Sequence, residues 1–88
     1  MRIEFDPRKD AANIAKHGVS LAQALRLEWD TAVTWPDFRK DYGEERMSGI
    51  AYIGLRLYVV VYVNRMFVRR IISLRKANPR EMKRYAKT

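Results

Sequence analysis

Eighty-eight residues, 48% of them hydrophobic, suffice for one domain spanning 1–88 and exclude a disordered chain. With no cysteine and a single histidine, a disulfide framework, a thiolate zinc site and a metal site built mainly on imidazole are all excluded or disfavoured, so no cofactor is expected. The net charge of +8 is uneven: residues 1–44 carry 7 Lys/Arg against 8 Asp/Glu, whereas residues 45–88 carry 11 against 2, which points to a polyanion or an acidic protein as partner.

Arg2-Ile3-Glu4-Phe5 alternates polar and apolar, which predicts a short strand with Ile3 and Phe5 inward. Asp6-Pro7 then supplies an N-cap and a proline at the first helical position. A first helix is expected to run to Lys16 or His17, with Gly18 as its left-handed terminator and Ala11, Ile14 and Ala15 as its apolar stripe. Asn13 and His17, four apart, share another side.

Ser20 with Gln23 has the spacing of a capping box and opens a second helix, in which Leu21, Leu25 and Trp29 should bury together. Thr31 to Trp35 reads as a second strand stopped by Pro36-Asp37, and residues 36 to 46 as a loop. A third strand runs from Met47 to Ile53, and Gly54-Leu55-Arg56 makes a tight hairpin.

Leu57 to Val63 is the most apolar run and is expected to be the central strand. Asn64-Arg65-Met66 turns the chain into a last strand, Phe67 to Arg75. Alternation along it sets Arg69, Ile71, Ser73 and Arg75 on an open face, and Val68, Arg70, Ile72 and Leu74 on the core face. Asn78-Pro79-Arg80-Glu81 starts a final basic helix of about ten residues, docked by Met82, Tyr85 and Ala86. The order β-α-α-β-β-β-β-α defines an α+β domain: a small antiparallel sheet with the helices on one face.

Taken together, Phe5-Asp6-Pro7, Asn13, Lys16-His17-Gly18-Val19, Gly43-Glu44-Glu45-Arg46, Arg70-Ile71-Ile72-Ser73-Leu74-Arg75, Glu81 and Tyr85 resemble the BrnT family of bacterial toxins. Phe5, Leu74 and the short Gly54 hairpin depart from the family's usual residues, at positions of packing and loop length. The resemblance implies a RelE-like fold and a ribonuclease toxin that inhibits translation. It also implies a cognate antitoxin, BrnA-like, with a ribbon-helix-helix part, and a complex that represses its own operon through operator DNA.

Cleavage of RNA by its own 2′-hydroxyl needs a proton acceptor, a proton donor and cations at the crowded phosphate, and no metal. His17 suits either proton role, or else caps the first helix. Lys16 suits phosphate binding or proton transfer, or else complements the helix dipole. Arg70 and Arg75 are the expected phosphate ligands, with an ion pair to Glu44, Glu45 or Glu81 as the alternative. Arg46, Ser73, Arg80 and Tyr85 complete the candidate RNA-binding set, and Tyr85 equally suits packing of the last helix.

A rival reading of the same residues is a basic nucleic-acid-binding or protein-interaction module without catalysis. No apolar run approaches the roughly 18 residues of a membrane span, and no secretory leader opens the chain. A cytoplasmic protein without membrane contact is the expectation.

Overall fold

The computed structural model describes residues 1–38 and 43–88. Five strands, β1 (Arg2–Glu4), β2 (Val33–Asp37), β3 (Arg46–Ile53), β4 (Arg56–Arg65) and β5 (Val68–Lys76), form one sheet in the order β1-β5-β4-β3-β2. Helix α1 (Pro7–His17), 3-10 turns over Leu21–Arg26 and Trp29–Thr31, and helix α2 (Pro79–Ala86) complete the chain. The α+β class stands, with the run Leu57 to Val63 inside the central strand β4.

The sheet is mixed rather than wholly antiparallel. β2 to β5 pair antiparallel, but β1 lies parallel to β5, with Arg2 opposite Val68 and Glu4 opposite Arg70. Two-residue turns force β3, β4 and β5 antiparallel, whereas β1 reaches its place through no hairpin. The helices also divide between the two faces. One core holds Leu21, Ala24, Leu27, Ala51, Val60, Tyr62, Ile71 and Leu74. The other joins Ile50, Leu57 and Val59 to Met82 and Tyr85 of α2. Val59 and Val60 point to opposite sides of β4, so α2 covers the face that α1 and the 3-10 segments leave open.

Helix α1 starts and stops as its sequence dictates. The Asp6 carboxylate accepts from the Arg8 N–H at 2.8 Å, Pro7 takes the first position, and Gly18 ends the helix at φ 72°. Its buried side, however, is not Ala11, Ile14 and Ala15, which are exposed. Asp10, Asn13 and His17 face inward instead, with Asn13 fully buried. The reason is the surface they meet: β1 pairs only as far as Arg70, so the backbone edge of β5 beyond it needs polar partners. Asn13 supplies them. Its amide donates to the Leu74 and Val19 carbonyls, both at 2.8 Å, and its oxygen accepts from the Leu74 N–H at 3.2 Å.

The expected second helix is a 3-10 segment, and its periodicity changes which residues are buried. Three residues per turn align Leu21, Ala24 and Leu27, all buried, and leave Leu25 58% exposed. Trp29 is half-buried and donates to the Ala24 carbonyl at 3.0 Å. Ser20 caps the segment by accepting from Ala22, but the Gln23 side chain accepts from Arg26 instead of closing a capping box.

Strand β2 does not stop at Pro36; it runs on to Asp37, because it is an edge strand and a missing donor on the outer side costs no ladder bond. Of the expected loop from 36 to 46, Pro36 and Asp37 therefore belong to β2 and Arg46 to β3, and residues 39–42 lie outside the described residues. The β3–β4 hairpin closes at Gly54 (φ 60°) and Leu55, with Ile53 opposite Arg56. The next turn falls at Met66-Phe67, not at 64 to 66, since Asn64 and Arg65 still pair with Arg69 and Val68. Helix α2 has the full capping box: Glu81 N–H donates to Asn78 Oδ1 at 2.9 Å, and Asn78 N–H to Glu81 Oε1 at 2.8 Å. Met82 and Tyr85 dock it, while Ala86 is exposed.

Candidate functional site

Simple alternation along β5 separates Arg70 from Ser73 and Arg75, but the register with β4 slips between Val61 and Tyr62. Tyr62 stands opposite Ile71 and Val61 opposite Ser73, so Ile72 is the extra residue of a β-bulge. One extra residue inverts the alternation beyond it. Ile71 and Leu74 consequently share the α1-side core, both fully buried, although they are three positions apart and would lie on opposite faces of a regular strand. The expected division of faces is thus overturned. Arg70, Ser73 and Arg75 stand together on the opposite face, and Arg69 is on the core side. There the Arg69 guanidinium lies 4.4 Å from the Trp29 ring centroid and 5.1 Å from that of Tyr62.

The face that carries Arg70, Ser73 and Arg75 holds a groove of about 570 Å³. Ser48, Val61, Ser73 and Arg75 line it from β3, β4 and β5, with Trp35 and Asp37 from β2 and Glu81 from α2. Register puts Trp35, Ser48, Val61 and Ser73 in one row across four strands. Arg46, half-buried, stands opposite Asp37 at the head of β3.

The cations of this face are fixed by carboxylates. Arg75 makes a two-pronged pair with Glu81, Nη1 to Oε1 at 2.8 Å and Nη2 to Oε2 at 2.6 Å. Arg75 and the Asn78 N–H together hold the Glu81 carboxyl below its usual value, against a smaller opposing effect of burial. Arg70 pairs with Glu4 at 3.3 Å, and Arg65 bridges Glu44 at 3.1 Å and Glu4 at 3.9 Å. The partner of Arg75 is the expected Glu81, but Arg70 takes Glu4 rather than Glu44 or Glu45.

His17 ends α1 within electrostatic reach of Arg75. Partial desolvation, then the charges of Lys16 and Arg75, lower its pKa and favour the neutral imidazole. At the end of the helix the Gly18 N–H donates to the Ile14 carbonyl at 2.8 Å. Lys16, beside it, is exposed.

Ser73 and Arg75 thus line one groove, with Arg46 and Arg70 farther along the same face; His17 lies outside the groove lining but within electrostatic reach of Arg75, and Lys16 is its exposed chain neighbour. The fold does not bring Tyr85 there. That ring stacks edge-on against Tyr52, with centroids 5.4 Å apart, and its hydroxyl donates to the Thr31 carbonyl at 3.3 Å. Arg80 is exposed on the first turn of α2, outside the groove lining. Trp35, Asp37 and Ser48 were not anticipated. Pro36-Asp37 reads as a strand stop, and only an edge strand that runs on to Asp37 sets Trp35 opposite Ser48 and Asp37 opposite Arg46 of β3.

The site is a grooved sheet face whose arginines are held by carboxylates, with an imidazole in electrostatic reach, on a domain of α+β class. A family model described as "Ribonuclease toxin, BrnT, of type II toxin-antitoxin system" matches residues 5–81. The chain belongs to this family of ribonuclease toxins. No curated protein matches the chain. Among the described residues no helix is long and apolar enough to cross a membrane.

Proposed function

We propose that this chain is an endoribonuclease that cuts RNA through the 2′-hydroxyl and so inhibits translation in the cytoplasm. The supporting observation is the shared face of Arg70, Ser73 and Arg75, with His17 within electrostatic reach of Arg75. In the proposed reaction neutral His17 accepts the 2′-hydroxyl proton. The 2′ oxygen forms its bond to phosphorus as the bond to the 5′ oxygen breaks, and solvent protonates the leaving oxygen. Arg75, Arg70 and Lys16 stabilise the charge on the phosphate, and Arg46 and Ser73 hold the neighbouring RNA. The reaction needs no metal ion. Arg80 and Tyr85 would contact only RNA that extends past α2.

The same reading includes a cognate antitoxin with a ribbon-helix-helix part, which neutralises the toxin and with it represses the operon. Its support is the type II system to which the family belongs, together with the charge of +8.

The test is brief induced expression of the chain in bacterial cells, with RNA 5′ ends mapped within minutes. Growth arrest with new, discrete ends supports the nuclease. Arrest with intact RNA would replace it with a binding module that blocks translation by occupancy. A folded Arg75→Ala variant with full toxicity would remove Arg75 from the site.

A further inference from the structure

We propose that the groove is a nucleobase subsite for single-stranded RNA, with Trp35 as its stacking platform and the Ser48 and Ser73 hydroxyls reading the base edge. This rests on the ribonuclease reading and deepens it by saying where the enzyme takes its sequence preference.

The row Trp35, Ser48, Val61, Ser73 carries the argument. Adjacent strands lie about 4.8 Å apart, so the two serines flank Val61 at a separation of about 10 Å. Between them Val61 gives an apolar floor suited to the flat face of a base. A hydroxyl both donates and accepts, so two of them can satisfy polar atoms on a base edge. At the end of the row stands Trp35, half-buried, with the Arg84 guanidinium 3.8 Å from its ring centroid. The indole is held between that guanidinium and the core of Ile50, Leu57 and Val59, and it lines the groove, where it offers a surface on which a base can stack. Arg75 lines the same groove and offers a cation where the attached phosphate would lie. An apolar floor, paired hydroxyls, an aromatic plane and a flanking cation together match a nucleotide. A base must be unstacked to enter, which selects single strands.

The protein has two tryptophans, Trp29 and Trp35, so Trp29→Phe leaves Trp35 as sole reporter. Titration with 2′-deoxy trinucleotides, which bind but cannot be cut, should quench its emission saturably, with one base acting at the lowest concentration. In the native background Trp35→Leu should weaken a labelled trinucleotide about ten-fold and flatten the base preference of mapped cleavage ends. Ser48→Ala should shift that preference without touching the α2 contact, which keeps the test open if Trp35→Leu misfolds. Saturable trinucleotide binding by anisotropy with Trp35 emission unchanged would overturn the subsite. So would an unaltered base preference in folded Trp35→Leu and Ser48→Ala. Failure of the ribonuclease reading is a separate result: wild-type protein that produces no new RNA ends.

Discussion

The side-chain amide of Asn13 pairs with the backbone of Leu74 as a neighbouring strand would, donating to its carbonyl at 2.8 Å and accepting from its N–H at 3.2 Å. It thereby fastens α1, which carries Lys16 and His17, to the strand that carries Ser73 and Arg75. Asn13→Ala leaves the Leu74 N–H and carbonyl and the Val19 carbonyl without these partners, and should cost about 3 kcal/mol in urea unfolding. Asn13→Asp should cost as much, because a carboxylate cannot donate to either carbonyl. A loss well below about 1 kcal/mol for both variants would mean that water replaces the amide.

The neutral state of His17 is open to NMR titration. Its imidazole should titrate below the ordinary value of about 6.5, and Arg75→Ala or Lys16→Ala should raise it. Because the folded pKa is depressed, the stability tied to this group is present above its unfolded pKa and lost as pH falls through the folded one. If His17 is the proton acceptor, kcat/KM rises with pH through the same depressed value. A His17→Gln enzyme with an unchanged pH profile would exclude that role.

Glu81 serves both Arg75 and the α2 cap, and two variants separate the tasks. Glu81→Gln can still accept from the Asn78 N–H but loses the charge that faces Arg75, whereas Glu81→Ala loses both. Thermal or urea unfolding should show a loss of about 1 kcal/mol for Glu81→Ala and less for Glu81→Gln. The sign with pH follows from the lowered carboxyl pKa. Its contribution is present above the ordinary value of about 4.3 and is lost as pH falls through the depressed one.

Met66 is the one non-glycine residue with positive φ among the described residues, at 45°, in the two-residue turn between β4 and β5. Its side chain is 96% exposed, so no packing offsets the strain. Met66→Asn should raise stability by roughly 0.5 kcal/mol, since asparagine tolerates this region better. A lower unfolding midpoint would show that the methionine makes a stabilising contact.

Local signals determined much of this chain. Asp6-Pro7, Gly18 and Asn78-Pro79 with Glu81 act within a few residues of themselves, so the boundaries of α1 and the start of α2 were legible. The apolar runs after Met47 and Leu57 likewise identified β3 and β4, whereas charge alone left Glu44, Glu45 and Glu81 open as partners of Arg75, and the fold selected Glu81. What the sequence could not state was what each element meets. The buried side of α1 is polar because it closes an unpaired strand edge, a fact that exists only once β1 has ended at Arg70's level. Leu25 is exposed because the segment tightens to three residues per turn. The Ile72 bulge, set by pairing with β4, puts Arg70 on the face of Ser73 and Arg75, and Ser73 and Arg75 line one groove with Trp35, Ser48 and Asp37. Sequence spacing fixes which residues can share a face of an ideal strand or helix. Only pairing between distant strands decides where that ideal breaks, and here the candidate site is built at the break.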